Sequence, residues 1–369
     1  MKLRLSSCLV TIALLGLGPV CGMLYAQDDD PVIDSKPLSH WIKQLQSENR
    51  GFQLRAAQAL SKAESNHVAK VIPSLMPLLK SERENDRFVA AQTLGNYGSP
   101  ARAAVPELLP LLKGTQYERN RAAAAKALGQ ILKDAQPGEE VEKVTAAIVD
   151  AWGDKYEDVR RECVFALGMI GTSAKSCIPK LDERLNDAQP VRNAAAWTCG
   201  RMGRLAADKA DKLISIMQGE RYPQVDHFFA AAAVEALGKI GAVHANVVPN
   251  IVNRLESIGA GTAFHPQADG AAVRVCYLRG VNALERLGPD AASATSYLQR
   301  VISGNPYGDK ERSLAIVNAL GAIGPGAAEA IPTIQKIADA KPGSQDGSAV
   351  ALQKAAVAAI EAIKKPASK

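Results

Sequence analysis

Apolar residues recur along most of this chain with a helical period, and the pattern breaks at regular intervals. Val159, Cys163, Leu167 and Ile170 stand three to four residues apart, which puts one apolar stripe on a helix with polar residues opposite. Such stretches end alike: VAAQTLGNYG at 89–98, AAAAKALGQ at 122–130, FALGMIG at 165–171, WTCGRMG at 197–203, EALGKIG at 235–241, NALERLG at 282–288 and NALGAIG at 318–324. Leu94, Leu128, Leu167, Cys199, Leu237, Leu284 and Leu320 anchor these copies at a mean spacing of about 38 residues, within the range of helical repeats. Weaker copies around Leu60 and Ile360 bring the expected number of units to about nine, with atypical units at the ends.

Each unit reads as two helices. The blocks PSLMPLLK at 73–80 and PELLPLLK at 106–113 precede a polar break and then the Ala-rich second helix. The first Gly of each G-x-x-G lies in the last turn of that helix, where a missing side chain lets a neighbour approach. The second Gly falls where the chain leaves the helix and favours a left-handed conformation. Eight residues after that Gly stands a proline, as in Gly98 and Pro106, Gly171 and Pro179, Gly241 and Pro249, Gly324 and Pro332. Proline in a helix interior costs about 3 kcal/mol, so its recurrence predicts a kink or restart in the first helix. An arginine seven residues before the anchor recurs as Arg87, Arg121, Arg160 and Arg192 and is missing at that offset in the later units.

With its A-L-G-x-x-G endings, downstream proline and recurrent arginine, the chain resembles the HEAT-repeat family, especially its bacterial, phycobilisome-lyase-like branch, over nearly all of residues 37–365. The resemblance implies an all-α solenoid of about nine helix pairs. It also implies that the arginines pair with acidic residues or backbone carbonyls of a neighbouring repeat, for which Asp86 and Asp158 stand in place, rather than forming an open basic stripe. Tetratricopeptide and ankyrin signatures are absent.

Composition and the N-terminus place the array. Hydrophobic residues make up 47% of the 369 residues and aromatics only 5%, a composition suited to helices packed through small side chains. Lys2 and Arg4 followed by the short apolar run Leu9 to Leu17, with Ala26 before an acidic stretch, read as a cleaved secretory signal over 1–26. Residues 27–36 are expected to be an acidic linker and 366–369 a tail. The expected location is exported, periplasmic or extracellular, without stable membrane insertion once the signal is removed. Cleavage takes the formal net charge from +6 to +4, a mild excess that selects no partner. With no basic run longer than Lys364-Lys365, nucleic acid is not expected as a partner. Cys163, Cys177, Cys199 and Cys276 sit in apolar helical patterns without C-x-x-C spacing and are read as buried small residues. A Cys163–Cys177 disulfide stays open.

No chemistry emerges from the remaining motifs. The five histidines, His40, His67, His227, His244 and His265, never stand four residues apart as metal ligands on one helix face would. There is no H-E pair of the kind that helical-repeat hydroxylases carry, no G-x-S-x-G and no phosphate loop. No cofactor, metal or catalytic residue is expected, and bilin attachment, known for lyases of the resembled branch inside cells, sits badly with export. The expectation is a non-catalytic scaffold for a protein partner. Its alternative is an envelope-associated structural protein that binds glycan or an anionic surface polymer. Candidate binding residues are the aromatics and their neighbours in the loops within each unit: Tyr117, Tyr156, Arg221, Tyr222, His227, Phe264, His265 and Tyr307. Two of these loops, 218–227 and 257–270, are enlarged. Trp41, Trp152 and Trp197 fall in predicted helices and are read as core.

Overall fold

A computed structural model of the chain describes residues 30–63, 65–113, 116–218, 227–259, 270–340 and 346–366. Nine second helices run through them: Arg50–Leu60, Glu84–Tyr97, Glu118–Ile131, Glu157–Ile170, Gln189–Met202, His227–Ile240, Gly270–Leu287, Lys310–Ile323 and Gly347–Lys364. Each follows a first helix, from Leu38–Gln44 in unit 1 to Ile331–Ala338 in unit 9, and packs on the second helix of the adjacent units. The described residues therefore form an all-α solenoid of nine helix pairs. Leu60, Leu94, Leu128, Leu167, Cys199, Leu237, Leu284 and Leu320 are all fully buried and form one continuous core. Side-chain caps start several second helices: Asn49 accepts from the Gly51 N–H, Asp309 from that of Arg312 and Asp346 from that of Ala349.

The A-L-G motif is an inter-repeat contact. A Cβ built on Gly95, Gly129, Gly238 or Gly321 would lie 2.8, 2.6, 2.7 or 3.1 Å from the Cα of Ala127, Ala166, Ala283 or Ala359 respectively. In each case the partner is the alanine just before the anchor of the next unit. Only a missing side chain facing a one-carbon side chain permits that approach.

The second Gly does more than continue into a left-handed turn. Gly324 has φ 67° and ψ −138°, a mirror-extended conformation that only glycine adopts readily. In unit 3, where Leu132 replaces this Gly, the positive φ moves to Asp134 at 52°. Nothing lies within 4 Å of a Cβ built on Gly324, so Gly324→Ala isolates the backbone penalty. It is expected to lower unfolding free energy by about 1–3 kcal/mol, measured by urea denaturation, with unchanged helix content.

The recurrent proline marks a restart. Gly98 leads into 3-10 turns over Ser99–Ala104, and Pro106 then sits in the first turn of Val105–Leu108. Pro332 occupies the same place in Ile331–Ala338. There a proline displaces no helical hydrogen bond. At the N-terminus the structure corrects the linker expectation for residues 30–36. Val32–Ile33 and Lys36–Pro37 form a small antiparallel hairpin, and the Trp41 indole donates to the Ile33 carbonyl at 2.7 Å. Asp30 accepts from the Ser39 N–H, and Asp34 meets Lys62. This segment covers unit 1. By length and composition alone Lys310–Ala338 would pass for a membrane span. It is the second helix of unit 8 and the first of unit 9, turned at Gly324.

Candidate functional site

The position seven residues before each anchor lies at the end where the two helices of a unit are joined. Here the arginines reach back to the loop and across to the next unit. Arg121 donates to the Gln116 carbonyl and, through Nε and Nη2, to both carboxylate oxygens of Asp154 at 2.6 and 3.0 Å. Arg160 bonds the carbonyls of Asp154 and Lys155 and grips Asp187 at 2.9 and 2.8 Å. Arg87 donates to the Ser81 and Glu82 carbonyls, and Arg192 lies over the Phe229 ring at 5.0 Å. The inter-repeat ladder thus exists, but its acids are corrected. Asp86 faces Arg83 and Gln53, and Asp158 faces Arg161. Residues one or two apart on a helix do not share a face, so the partners come instead from the loop of the following unit.

Two rungs escaped the arginine pattern. Gln53, in the equivalent position of unit 1, donates to the Leu45 carbonyl and to Asp86 at 3.1 and 2.6 Å. In unit 7 the role passes to Arg274, one turn earlier, which meets Asp309 and Glu311. Burial alone would push the Asp154 and Asp187 carboxyls up. The hydrogen bonds and charge of Arg121 and Arg160 outweigh it and hold both below the usual carboxylate range. These guanidiniums are committed inside the fold and leave little basic stripe for an anionic polymer.

The loop aromatics divide. Tyr117 and Tyr156 immediately precede second helices and stand out at 57% and 41% exposure. Lys155 and Arg121 lie 5.0 and 5.5 Å from the Tyr156 ring. Tyr307 is corrected: it turns inward against the core, with its hydroxyl buried. Arg221, Tyr222, Phe264 and His265 lie outside the described residues. His227 opens a second helix, and its side chain is likewise outside them. The second enlarged loop begins later than expected, because the helix Val247–Gly259 carries through Ser257.

A site that the sequence pattern missed lies on the second-helix face. Trp152 is buried, as expected for core, but Trp197 is half-exposed and stacks on Phe165 with ring centroids 4.3 Å apart and planes at 22°. The stack needs Gly168, where an added Cβ would strike the indole at 2.4 Å. Phe165, Met169 and Trp197, with Gly95, Asn96, Gly98, Gln130, Lys133 and Arg201, line a depression of about 480 Å³. A second depression of about 270 Å³ adjoins it through Gln130. Phe88 lies on its floor with Arg119 over the ring at 4.4 Å, and Gln92, Lys126 and Arg161 lie around it. Together they make a groove across the second helices of units 2 to 5. One signal was available. Two residues before each anchor the chain reads Gln92, Lys126, Phe165, Trp197, Glu235, Asn282 and Asn318, a polar column interrupted by two large aromatics.

Among the described residues no three His, Cys, Asp or Glu side chains converge as metal ligands. Cys163, Cys177, Cys199 and Cys276 are all free and buried. Burial pushes the Cys177 thiol up to about 12 and raises the other three as well.

Comparison with known proteins agrees with this architecture. HEAT repeats match residues 38–129, 75–161 and 105–197. Later units carry the same helix pairs beyond that match. A crystal structure of Kap121p superposes with a TM-score of 0.67 at 14% identity, over 88% of this chain and 39% of that one. Kap121p bound to Pho4p gives 0.65 at 13% identity, with the same coverage of both chains. Importin beta gives 0.65 at 16%, over 88% of this chain and 49% of its own. The chain thus spans 39% to 49% of these structures' own chains, and at such identity the likeness is one of fold. No curated protein matches the chain.

Proposed function

We propose that this chain is an exported, non-catalytic scaffold that holds a protein partner in the groove on its second-helix face. The observation that carries the reading is the half-exposed Phe165–Trp197 stack, set in a depression beside cations and amides. Aromatic rings held rigidly at a surface suit an interface anchor, since little side-chain freedom is lost when a partner covers them. Repeat arrays present extended surfaces of this kind. That Kap121p has been crystallised with Pho4p is in keeping with a protein partner here. Export rests on the basic, apolar and small-residue succession of residues 1–26, and the bacterial, phycobilisome-lyase-like kinship on the A-L-G-x-x-G endings.

Site-specific photo-crosslinking in the native cell tests the reading. A photoreactive residue at Gln92, exposed in the groove, is expected to give a discrete protein adduct. The same residue at Lys175, exposed outside the groove among the 3-10 turns that open unit 5, is expected to give none. Equal labelling from both positions, or none from Gln92, would count against the scaffold.

A further inference from the structure

The groove is unevenly charged. Its lining carries five cations, Arg119, Lys126, Lys133, Arg161 and Arg201, against the acids Glu118, Asp158 and Glu162. Asp158 and Glu162 already face Arg161, whose charge they hold in place against burial. Arg119, Lys126 and Lys133 enter no ion pair among the described residues. At the unit 4–5 end the apolar floor of Phe165, Met169 and Trp197 is bordered by Lys133 and Arg201 without an acid in the lining. Arg201 already holds one carboxylate there. Its Nε donates to the Gly168 carbonyl, and its Nη2 meets Asp134, which reaches in from the rim.

We infer that this groove takes an extended protein segment in which a large apolar side chain stands next to carboxylates. The apolar group seats against Phe165, Met169 and Trp197, and the carboxylates meet Lys126, Lys133 and Arg201. The inference rests on the scaffold reading above and narrows it to the chemistry of the partner. A basic segment would bring like charge against Lys133 and Arg201, which acts against binding. A neutral apolar segment would cover Lys126 and Lys133 without pairing them. Extended backbone also carries unpaired N–H and C=O groups, and Gln92, Asn96 and Gln130 supply amides along the same path.

The test measures fluorescence anisotropy of the full chain with three labelled Ser/Gly peptides of equal length. One carries a Phe flanked by glutamates, the second has lysines for the glutamates, and the third has Ala for the Phe. The Glu–Phe peptide is expected to bind on the order of tenfold more tightly than either of the others, and its affinity is expected to fall as salt rises. Trp197→Ala is expected to remove the advantage of Phe over Ala. Because that change also touches packing on Gly168, the decisive variant is the exposed pair Lys126→Glu with Lys133→Glu, which is expected to reverse the order of the Glu and Lys peptides. Equal binding of those two peptides, a preference that survives the charge swap, or no binding by any peptide overturns the inference. The Gln92 crosslink separates this failure from that of the scaffold. A captured segment that is basic, or that lacks a large apolar residue, sinks the inference and leaves the scaffold standing, whereas no protein adduct sinks both.

Discussion

Gly238→Val is expected to lower the unfolding free energy by about 3 kcal/mol and to divide unfolding into two steps. A Cβ at Gly238 would lie 2.7 Å from both the Cα and the Cβ of Ala283, and 3.4 Å from its carbonyl oxygen. The obstacle is largely backbone, so no rotamer change relieves it, and the second helices of units 6 and 7 must separate. In a solenoid, stability is close to a sum of unit terms and nearest-neighbour interfaces. Weakening one interface uncouples the units on either side, so units 7–9 should melt apart from units 1–6. Gly200 and Gly321 meet their alanine partners at 3.1 Å from Cα, and Ala in either place should cost less than Gly238→Ala. Gly347 has nothing within 4 Å of its built Cβ, so Gly347→Ala should stay within about 0.5 kcal/mol of wild type. Urea titration followed by far-ultraviolet circular dichroism reads all of these. A Gly238→Val protein unfolding in one step at the wild-type midpoint would refute the close-contact account of the motif.

The solenoid was legible in the sequence because its cause is local and repeated. The anchor residues answer to the core, the glycines one residue after most of them to the close approach of neighbouring helices, and the prolines of four units to the restarts. What was not legible depends on pairings between units. Nothing in a single stretch says whether Arg121 meets Asp86, its own helix neighbours or Asp154, because the choice is set by how one unit's loop lies against the next. Arg274 shows the same limit: it serves the ladder from a different helical turn. Its place in a predicted helix and its residue type both point Trp197 to the core. It lies at the surface because its place two residues before the anchor faces away from the first helices, and because Gly168 leaves room for it to lie across Phe165. Tyr307 differs the other way, since its side chain packs toward the core from an otherwise exposed loop. Residue type is a weak guide wherever aligned position within the unit decides the facing.

The Arg121–Asp154 rung carries the other large effect. Both side chains are nearly closed off from solvent, at 5% and 9% exposure, and the pairing is bidentate. Arg121→Met takes both guanidinium hydrogen bonds from the Asp154 carboxylate and leaves the Tyr156 N–H and the charges of Lys155 and Arg160 to compensate its burial. Removing one partner of such a buried pair is expected to cost about 3–5 kcal/mol. Replacing both, as in Arg121→Met with Asp154→Leu, should recover much of that loss, because no buried charge remains unpaired. The pH dependence gives an independent check. In the wild type the folded Asp154 pKa lies below its unfolded value, so the stability it confers is complete above the ordinary carboxylate value of about 4 and is lost as pH falls through the lowered folded value. In Arg121→Met the remaining burial acts in the opposite sense and favours the neutral acid. Acidification therefore weakens the wild type through this residue while relieving the variant. The gap in unfolding free energy between them should narrow as pH falls from about 6 to about 3. A gap that stays constant over that interval would mean that the ladder does not draw its strength from this ion pair.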